Sequence, residues 1–583
     1  MIGNSKRSIR LLSWRTLRWA IALPSLPLVW WACTSHPLTQ PVPAPEQQTD
    51  IYISVSPTRL LDLVFMIDNS PSMAPKQAKL NAQFPKLIAA LQDPNNNNAL
   101  PDLRVAIIDS DLGTNGAYSS GSCGPRTLPD GNGATMTTGY GDLGRFQMIN
   151  SVSGSTPCGV NSPDAMWLEY TKGKPVNFTG DINTVFACLA GNLGTLGCGE
   201  EHQLQAFEFA LVAGGLGKPN DDQHAMLRGP AYLGLVFLTD EDDCSAAGSD
   251  GMFGDKAELR NESASLRCYS RSHVCNDKNL ADNTPPGYPT TAAFTAPLSS
   301  CKARTDACPN PIDGTGSTDT SVATSCSPLK DYKHLAAEIK GLKEDPDNQI
   351  LVAGIFGWPL TDADYTSAQY KIDQIPNPNS ADTAHASVWD SWPICYDPGH
   401  KPANASTFDS IAAGFGATAG LRNAAFVDEF GKNGLKFSIC QTDYAASMKT
   451  IGDTIAAKLQ NLCVNYKLWT DTNGNPDCRV AYRKPTYPDP KKPNEVVWEE
   501  NPQGLPMCAA GATPDTIQSD CWTLITDTKK CPDAYNGQLI NVLRTRAELN
   551  DPNLALAAGT KVGMQCRTCT DFRDPNGNPL PGC

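Results

Sequence analysis

An aspartate and two serines stand at alternate positions in the segment VFMIDNSPSM, as Asp68, Ser70 and Ser72. The apolar run LLDLVFMI comes directly before them and predicts a buried strand that ends at the aspartate. One carboxylate and two hydroxyls on a tight turn supply three oxygen ligands, which hard divalent cations such as Mg²⁺ prefer. Because such ions often keep coordination positions for water or for a partner, the segment predicts a cation site that can also bind a ligand.

A second apolar run, AYLGLVFLTD, ends at Asp240. It predicts another buried strand with an acidic residue at its carboxyl end. Open α/β sheets bind their ligands outside the carboxyl ends of the strands. We therefore expect Asp240 to lie near Asp68 and to contact the same ion, directly or through water.

Together these residues resemble the metal-ion-dependent adhesion site of von Willebrand factor A (VWA) domains, in which an Asp-x-Ser-x-Ser turn follows the first strand and a second acidic residue ends a later one. The resemblance covers roughly residues 59–462. It implies that Asp68, Ser70, Ser72 and Asp240 hold Mg²⁺, with Mn²⁺ or Ca²⁺ as alternatives. It also implies that the ion completes its shell with an acidic group of a protein or polysaccharide partner, as in adhesion.

The chain departs from the VWA pattern at two places. Pro71 replaces the commoner glycine between the two serines, which changes the turn but removes no ligand. The threonine that the family carries before a later helix is missing, and GCGEEHQL stands there instead. Glu201, or alternatively Glu200, then occupies the ligand position, where a carboxylate binds the cation more tightly and weakens its attraction for a partner's acidic group. The alternative is that these glutamates only cap the amino terminus of the helix.

Three further acidic residues, Glu241 to Asp243, follow Asp240 directly. They form either a second calcium site with the segment that follows or a solvated acidic turn. Carboxylates on one short turn suit calcium, but acidic residues are also common on protein surfaces without any ion. Both alternatives remain open from the sequence.

Apolar runs and helical patterns alternate along residues 59–462, and this alternation predicts an α/β fold with a doubly wound, mostly parallel sheet of the VWA or Rossmann-like type. The expected strands are 60–68, 103–109, an edge strand at 145–152, 231–240 and 349–357. The expected helices are 73–92, 181–190, 202–212, 330–342, 407–420 and 443–462. Disulfide-rich insertions are expected near 112–180 and 241–327.

The first 32 residues have the layout of an export signal, with five basic residues, no acidic one, and then an apolar run from Trp19 to Ala32. That run is 14 residues long and contains two prolines, so it is too short to span a bilayer comfortably. Ala32 directly before Cys33 resembles a lipobox, in which the cysteine becomes lipidated. We therefore predict a signal peptide at 1–32 and a lipid-anchored linker at 33–58, with ordinary cleavage or an uncleaved anchor as alternatives.

The chain has 21 cysteines, and lipidation of Cys33 leaves 20, an even number that can pair completely. Residues 34–462 hold 12 of them and residues 463–583 hold eight. Exported proteins meet an oxidising compartment, so we expect all of these cysteines to form disulfides, mostly within their own part. Short β-like runs and many prolines after residue 462 predict a small, β-rich, cysteine-rich carboxyl-terminal domain at 463–583.

Without the predicted signal peptide the chain has 42 basic and 61 acidic residues, a net charge of −19. Such a surface repels nucleic acid, and no Walker A, HExxH or Gly-x-Ser-x-Gly sequence indicates an enzyme. The sequence favours an exported lipoprotein of the outer membrane or cell surface that binds a protein or polysaccharide through its metal site and contacts the membrane through its lipid. The alternatives are a structural envelope scaffold and, less favoured, a hydrolase whose site lies in the insertions.

Overall fold

The fold is given by a computed structural model. The predicted signal peptide, the linker and Cys33 lie outside the residues that the structure describes. The described residues are 60–92, 100–114, 122–129, 135–151, 157–162, 164–171, 173–212, 214, 220–229, 231–246, 253, 262–276, 278–279, 298–307, 326–343, 345–359, 370–376, 386–400, 414–460, 462–464, 467–486, 497–500, 504–528, 531, 535–550, 561–567, 569 and 582.

A seven-stranded sheet lies at the centre of the fold, with its strands between residues 60 and 438. Its strands are, in chain order, β1 (Leu60–Ile67), β2 (Asp102–Ile108), β3 (Leu168–Thr171), β4 (Lys174–Pro175), β5 (Tyr232–Leu238), β6 (Ile350–Phe356) and β7 (Gly434–Ser438). Across the sheet the order is β4-β3-β2-β1-β5-β6-β7. The five strands β2-β1-β5-β6-β7 pair in parallel, and β3 and β4 add an antiparallel edge beside β2.

Helices cover both faces of this sheet. The helices of eight or more residues in the described part of the chain are α1 (Ala74–Leu91), α2 (Ile182–Gly191), α3 (Gln203–Leu211), α4 (Ala264–Ser272), α5 (Tyr332–Lys340), α6 (Leu421–Asp428) and α7 (Ala445–Gln460). Successive residues of a strand point to opposite faces. Leu63 and Phe65 of β1 pack with α1, α2 and α7, whereas Val64 and Met66 pack with α3, α5 and α6. This arrangement confirms the predicted doubly wound, mostly parallel α/β fold.

The central strands are buried along their whole length, which explains their continuous apolar sequences. All residues of β1 and of β5 are buried, as expected for parallel strands with helices on both faces. The one acidic residue inside β1, Asp62, accepts hydrogen bonds from the backbone amide and from Nε of Arg228, each at 2.8 Å. Its charge is therefore paired where it is buried.

The edge of the sheet corrects one predicted strand. The predicted edge strand at 145–152 is wrong in its described residues, 145–151, and the strand beside β2 is β3, with β4 outermost. The amide of Phe146 donates to the side-chain oxygen of Gln223 at 2.7 Å, and the amide of Gln147 donates to the carbonyl oxygen of Ile107 in β2 at 2.7 Å. One such bond to β2 is not a β-ladder, so the segment lies beside β2 without forming a strand of the sheet.

One predicted helix is also misplaced. The helix predicted at 407–420 is wrong in its described residues, 414–420, which contain the short strand Gly416–Ala417. The helix of this region, α6, begins only at Leu421. The amides of Arg422 and of the residue after it donate to the Asp242 carboxylate, which fixes the start of the helix at that point.

Seven disulfides have both cysteines in the described part of the chain. They are Cys123–Cys198, Cys158–Cys188, Cys244–Cys268, Cys275–Cys301, Cys395–Cys440, Cys478–Cys566 and Cys508–Cys521. Cys326, Cys531 and Cys569 are disulfide-bonded as well. Each of the seven pairs lies within 34–462 or within 463–583, as predicted.

The described residues of the carboxyl-terminal part form two three-stranded sheets. Its strands are β8 (Leu462–Cys463), β9 (Cys478–Thr486), β10 (Val497–Glu500), β11 (Cys521–Thr526), β12 (Gln538–Leu543) and β13 (Lys561–Cys566). The sheet orders are β8-β12-β11 and β10-β9-β13. Both contribute to one small hydrophobic cluster that includes Val480, Trp522 and Ile540.

None of the helices that the structure describes, in either part of the chain, is long and apolar enough to cross a membrane.

Candidate metal centre

The predicted site residues meet at the carboxyl ends of β1 and β5. Asp68 is the first residue after β1, and its amide donates to the carbonyl oxygen of Leu238, the last residue of β5, at 3.0 Å. Asp240 follows two residues later. Strand order reverses at β1, which has β2 on one side and β5 on the other. This point is the topological switch where open α/β sheets bind ligands.

Two donors, one just after β1 and one just after β5, hold the Asp68 carboxylate in one orientation. Its Oδ1 accepts the amide of Ser70 at 2.8 Å, and its Oδ2 accepts the hydroxyl of Thr239 at 2.7 Å. Burial and the charge of Asp240 raise the pKa of Asp68 to about 6, although these hydrogen bonds oppose the shift. Thr239 therefore fixes the orientation of the Asp68 carboxylate.

The two serine hydroxyls and Asp240 are arranged like neighbouring ligands of one ion. Ser70 Oγ lies 3.3 Å from Ser72 Oγ, and Ser72 Oγ donates to Asp240 Oδ1 at 3.1 Å. Mg²⁺ holds oxygens at about 2.0–2.1 Å in an octahedron, so adjacent ligand oxygens are about 3 Å apart. The donor set, with two hydroxyls and carboxylates, and its spacing both fit a hard divalent cation.

Glu201 belongs to this cluster, whereas its role as a helix cap is not supported. Burial and the charges of Glu241, Asp68 and Asp240 raise its pKa well above the ordinary value. The side chain is only 2% exposed, and its Oε1 has no hydrogen-bond partner among the described residues. The cluster thus holds a buried carboxylate oxygen that faces other carboxylates and lacks a donor.

The amino terminus of α3 is capped by other residues. The amide of Leu204 donates to Asp243 Oδ1 at 3.0 Å, and the amide of Gln205 donates to Ser245 Oγ at 2.9 Å. Because these groups satisfy the first turn, Glu201 is free for another role. The sequence could not indicate this, since the caps come from a segment about 40 residues later.

Glu200 does not join the site. Its Oε2 lies 4.0 Å from the sulfur of Cys244 and 3.8 Å from that of Cys268. These three residues are close enough to suggest a metal cluster, but the two cysteines are joined in a disulfide and offer no thiolate. The choice between Glu200 and Glu201 therefore favours Glu201.

The acidic turn after Asp240 divides its residues between two roles. Asp243 Oδ2 accepts from Nε and Nη2 of Arg422 at 3.0 and 2.9 Å, while Asp242 accepts amides at the start of α6 and contacts His273. These two carboxylates hold helices in place, which argues against a calcium site made by all three. The Glu241 carboxylate instead accepts the hydroxyl of Ser265 in α4 at 2.6 Å, and burial and the charge of Asp240 raise its pKa to about 8.

Lys76 is the residue of the site that sequence reasoning missed. It lies in the first turn of α1 and is 3% exposed. Its ammonium pairs with Asp240 Oδ2 and lies 3.5 Å from the carbonyl oxygen of Ser72. Lys76 stands four residues after Ser72, and residues four apart share a helix face. This spacing is the sequence pattern that indicates a lysine near the serine turn.

A second group of acidic residues lies beside the site, at the end of β2. Asp109 and Asp111 are buried, and the guanidinium of Arg126 pairs with both Asp111 and Asp142. Burial and the charges of Asp142 and Asp111 raise the pKa of Asp109 well above the ordinary value. This group holds the loops after β2 together, and Asn69, between two site residues, donates weakly to Asp109 at 3.4 Å.

Comparison with solved structures finds three neighbours of note. The pilus adhesin SpaC from Lactobacillus rhamnosus GG covers 89% of this chain and 41% of its own, with 11% identity and a TM-score of 0.25. A von Willebrand factor type A protein from Catenulispora acidiphila covers 87% and 57%, with 8% identity and a TM-score of 0.23. The human COPII-coat protein Sec24c covers 85% and 44%, with 9% identity and a TM-score of 0.24.

The chain spans about half the length of these proteins. No sequence-family model matches it, and no curated protein sequence matches it. The strand order, the antiparallel edge and the Asp-x-Ser-x-Ser turn at the switch point agree with the doubly wound α/β fold of the VWA or Rossmann-like type that the sequence predicts.

Proposed function

We propose that this protein binds an acidic group of a protein or polysaccharide partner through a divalent cation held at the carboxyl ends of β1 and β5. Asp68 is the principal charged ligand, Ser70 and Ser72 are hydroxyl ligands, and Asp240 binds directly or through water. Glu201 is the fifth member. Mg²⁺ is the expected ion, with Mn²⁺ or Ca²⁺ as alternatives. The ion would supply a Lewis-acidic position to which a partner's carboxylate binds.

The observation that carries this proposal is the charge of the cluster. Asp68, Asp240 and Glu201 are buried, and Glu241 beside them is half-buried. The one ammonium at this cluster in the described structure is Lys76. The pKa values of Asp68, Glu201 and Glu241 are all raised, which shows that the site disfavours so many negative charges. A divalent cation is the ligand that stabilises these carboxylates in their charged form.

The serines provide the open side of the site. Pro71 stands between them and is exposed, and Ser72 is 8% exposed, so the turn reaches the protein surface. Hydroxyl ligands are neutral and leave the ion its positive charge. If Glu201 binds the ion directly, it increases the affinity of the site for the ion and reduces the attraction of the ion for the partner's carboxylate. The affinity for the partner therefore depends on whether Glu201 is a direct ligand.

The cellular location is part of the same proposal. The disulfides in both parts of the chain are typical of proteins that fold outside the cytosol. We expect cleavage before Cys33 and lipidation of that cysteine, with the protein held at the outer membrane or cell surface by residues 33–58. The intact mass of the membrane-extracted protein tests this, and an unmodified Cys33 contradicts it.

Isothermal titration with Mg²⁺ and Mn²⁺ tests the metal site. The wild type should bind one ion, Asp68→Ala should bind none, and Asp164→Ala, at an exposed aspartate, should behave as the wild type. Without the ion, Asp68→Ala should be as stable as the wild type or more so, because it removes a buried charge next to Asp240. Undiminished binding by Asp68→Ala would place the ion elsewhere and overturn the proposed site.

Partner binding needs its own experiment. The wild type and Asp68→Ala are immobilised and exposed to envelope extracts in Mg²⁺ or in chelator. We expect a partner that only the wild type retains, and only in Mg²⁺. A partner retained equally by both proteins with chelator present would instead support the scaffold alternative.

A further inference from the structure

The side chain of Lys76 is buried inside the candidate metal centre. It is the third residue of α1, and its ammonium contacts two groups of the site, the Asp240 carboxylate and the Ser72 carbonyl oxygen. The lysine side chain is 3% exposed and that of Asp240 is fully buried. An ammonium is costly to bury unless it is paired, so the contact with Asp240 is what keeps the lysine there.

Both oxygens of Asp240 are in use. Oδ1 accepts the hydroxyl of Ser72 at 3.1 Å, and Oδ2 accepts the ammonium of Lys76. A carboxylate oxygen that already accepts a charged donor is a weaker ligand for a metal ion, because the two cations repel each other and share the same electrons. Any divalent ion that uses Asp240 must therefore share it with Lys76 or displace the ammonium.

We propose that Lys76 is a tethered cation that competes with the divalent ion for Asp240 and thereby sets the affinity of the site. This inference rests on the proposed function, since it takes the same site as the place of the ion. Lys76 holds Asp240 beside Ser72 when the ion is absent, and it lowers the affinity of the site for the ion when the ion binds. The lysine is a positioning and affinity-determining residue, which no ligand pattern of the sequence includes.

The test is isothermal titration of the full chain with Mg²⁺ and with Mn²⁺. Lys76→Met keeps the length of the side chain and removes its charge, and Lys76→Gln keeps a donor without the charge. Lys79→Met is the matched control, because Lys79 lies in the same helix and pairs with Asp397 rather than with Asp240. Both variants at position 76 should bind Mg²⁺ about tenfold more tightly than the wild type, as expected for removal of a neighbouring positive charge, and Lys79→Met should not differ.

A second readout does not depend on affinity. In chelator, Lys76→Met and Lys76→Gln should unfold at a lower temperature than the wild type, because Asp240 loses its buried partner. Added Mg²⁺ should raise their unfolding temperature by more than it raises that of the wild type. This difference is measured by thermal unfolding at fixed ion concentration.

The outcomes separate the two proposals. Unchanged or weaker Mg²⁺ binding in both position-76 variants, with normal binding by the wild type, overturns the role of Lys76 and leaves the proposed function standing. Binding by these variants but not by the wild type supports the competition, and it contradicts the proposal that the natural protein binds the ion. Binding by none of the proteins overturns both.

Discussion

The amide of Gly197 donates to the backbone carbonyl oxygen of Asn69 at 2.8 Å, and the same glycine packs against the Asn69 side chain. Asn69 lies between Asp68 and Ser70, so the loop that follows α2 is fixed directly against the candidate metal centre. A Cβ added at Gly197 would lie 2.0 Å from Asn69 Oδ1. The close approach is thus possible only because residue 197 has no side chain.

This contact predicts the effect of Gly197→Ala. The new methyl group must displace the Asn69 side chain and the turn that carries the site serines, since no real Cβ contact is that short. We expect a loss of roughly 1–3 kcal/mol in the free energy of unfolding and weaker Mg²⁺ binding. Urea unfolding and ion titration measure the two effects.

Gly199→Ala is the matched control. Gly199 lies two residues further on, and a Cβ there meets nothing within 4 Å. Neither glycine has a positive φ, so a difference between the two variants reports the contact with Asn69 rather than backbone strain. Equal effects of the two substitutions would contradict the prediction.

The buried pair of Arg422 and Asp243 gives a second prediction. Arg422 is 2% exposed, and its guanidinium donates twice to one oxygen of the fully buried Asp243. Arg422→Met leaves that carboxylate without its charged partner, although it keeps the amide of Leu204. We expect a loss of about 3–5 kcal/mol in the free energy of unfolding, measured by urea unfolding.

The control for this variant is Arg546→Met. Arg546 makes a two-pronged pair with Asp515 at 2.7 and 2.9 Å, which is a better geometry than that of Arg422. Both partners are exposed, so water stabilises the separated charges nearly as well. Arg546→Met should leave stability unchanged within measurement. A similar loss in both variants would show that geometry, rather than burial, determines the strength of these pairs.

The sequence predicted the fold and the meeting of Asp68 with Asp240 because both depend on local patterns and on strand order. Runs such as 60–67 and 232–238 are apolar throughout since each strand has neighbours on both sides and helices on both faces. The turn with Asp68, Ser70 and Ser72 follows such a run, and the topology places Asp240 beside it. Strand order therefore largely determines where a residue at the end of a parallel strand lies.

The rest depends on contacts between distant segments, which no local pattern shows. The sequence leaves open whether Glu201 caps α3, and only the structure shows that Asp243 and Ser245 cap this helix instead. Lys76 reads as an ordinary helix-surface lysine, and it is buried because Asp240 lies 164 residues away in sequence and pairs with it. Proline usually kinks or ends a helix, yet α1 continues through Pro85.

The disulfide between Cys123 and Cys198 provides a third prediction. It closes a separation of 75 residues and anchors the loop whose residues 197 and 198 contact Asn69 and Asp111. Replacing both cysteines by serine should lower the free energy of unfolding by about 4 kcal/mol, because the unfolded chain gains conformational entropy without the crosslink. The same replacement should weaken Mg²⁺ binding.

The pair Cys508–Cys521 is the control for that experiment. It closes only 13 residues and lies in the carboxyl-terminal part. Its removal should cost about 3 kcal/mol and leave Mg²⁺ binding as in the wild type. Unchanged ion affinity in the variant that lacks Cys123 and Cys198 would mean that the loop does not position the site.

A fourth prediction concerns pH and Lys343. This lysine is 6% exposed, its ammonium donates to the carbonyl oxygen of Arg228 at 2.8 Å, and it lies 4.0 Å from Asp62. Burial lowers its pKa from 10.5 to about 8, and the charge of Asp62 only partly opposes this. Between these two pH values the unfolded chain binds a proton that the folded chain does not. The free energy of unfolding should therefore rise with pH in this window.

Lys343→Met removes this dependence, and the comparison of variant and wild type cancels the other titrating groups. From about pH 8 to about pH 9.5, the stability of the wild type should rise relative to Lys343→Met by roughly 1–2 kcal/mol. Lys449→Met, at an exposed lysine of α7, should show no such difference. Urea unfolding of the three proteins at the two pH values measures it. A constant difference between the wild type and Lys343→Met would show that Lys343 stays charged in the folded protein, with Asp62 outweighing the cost of its burial.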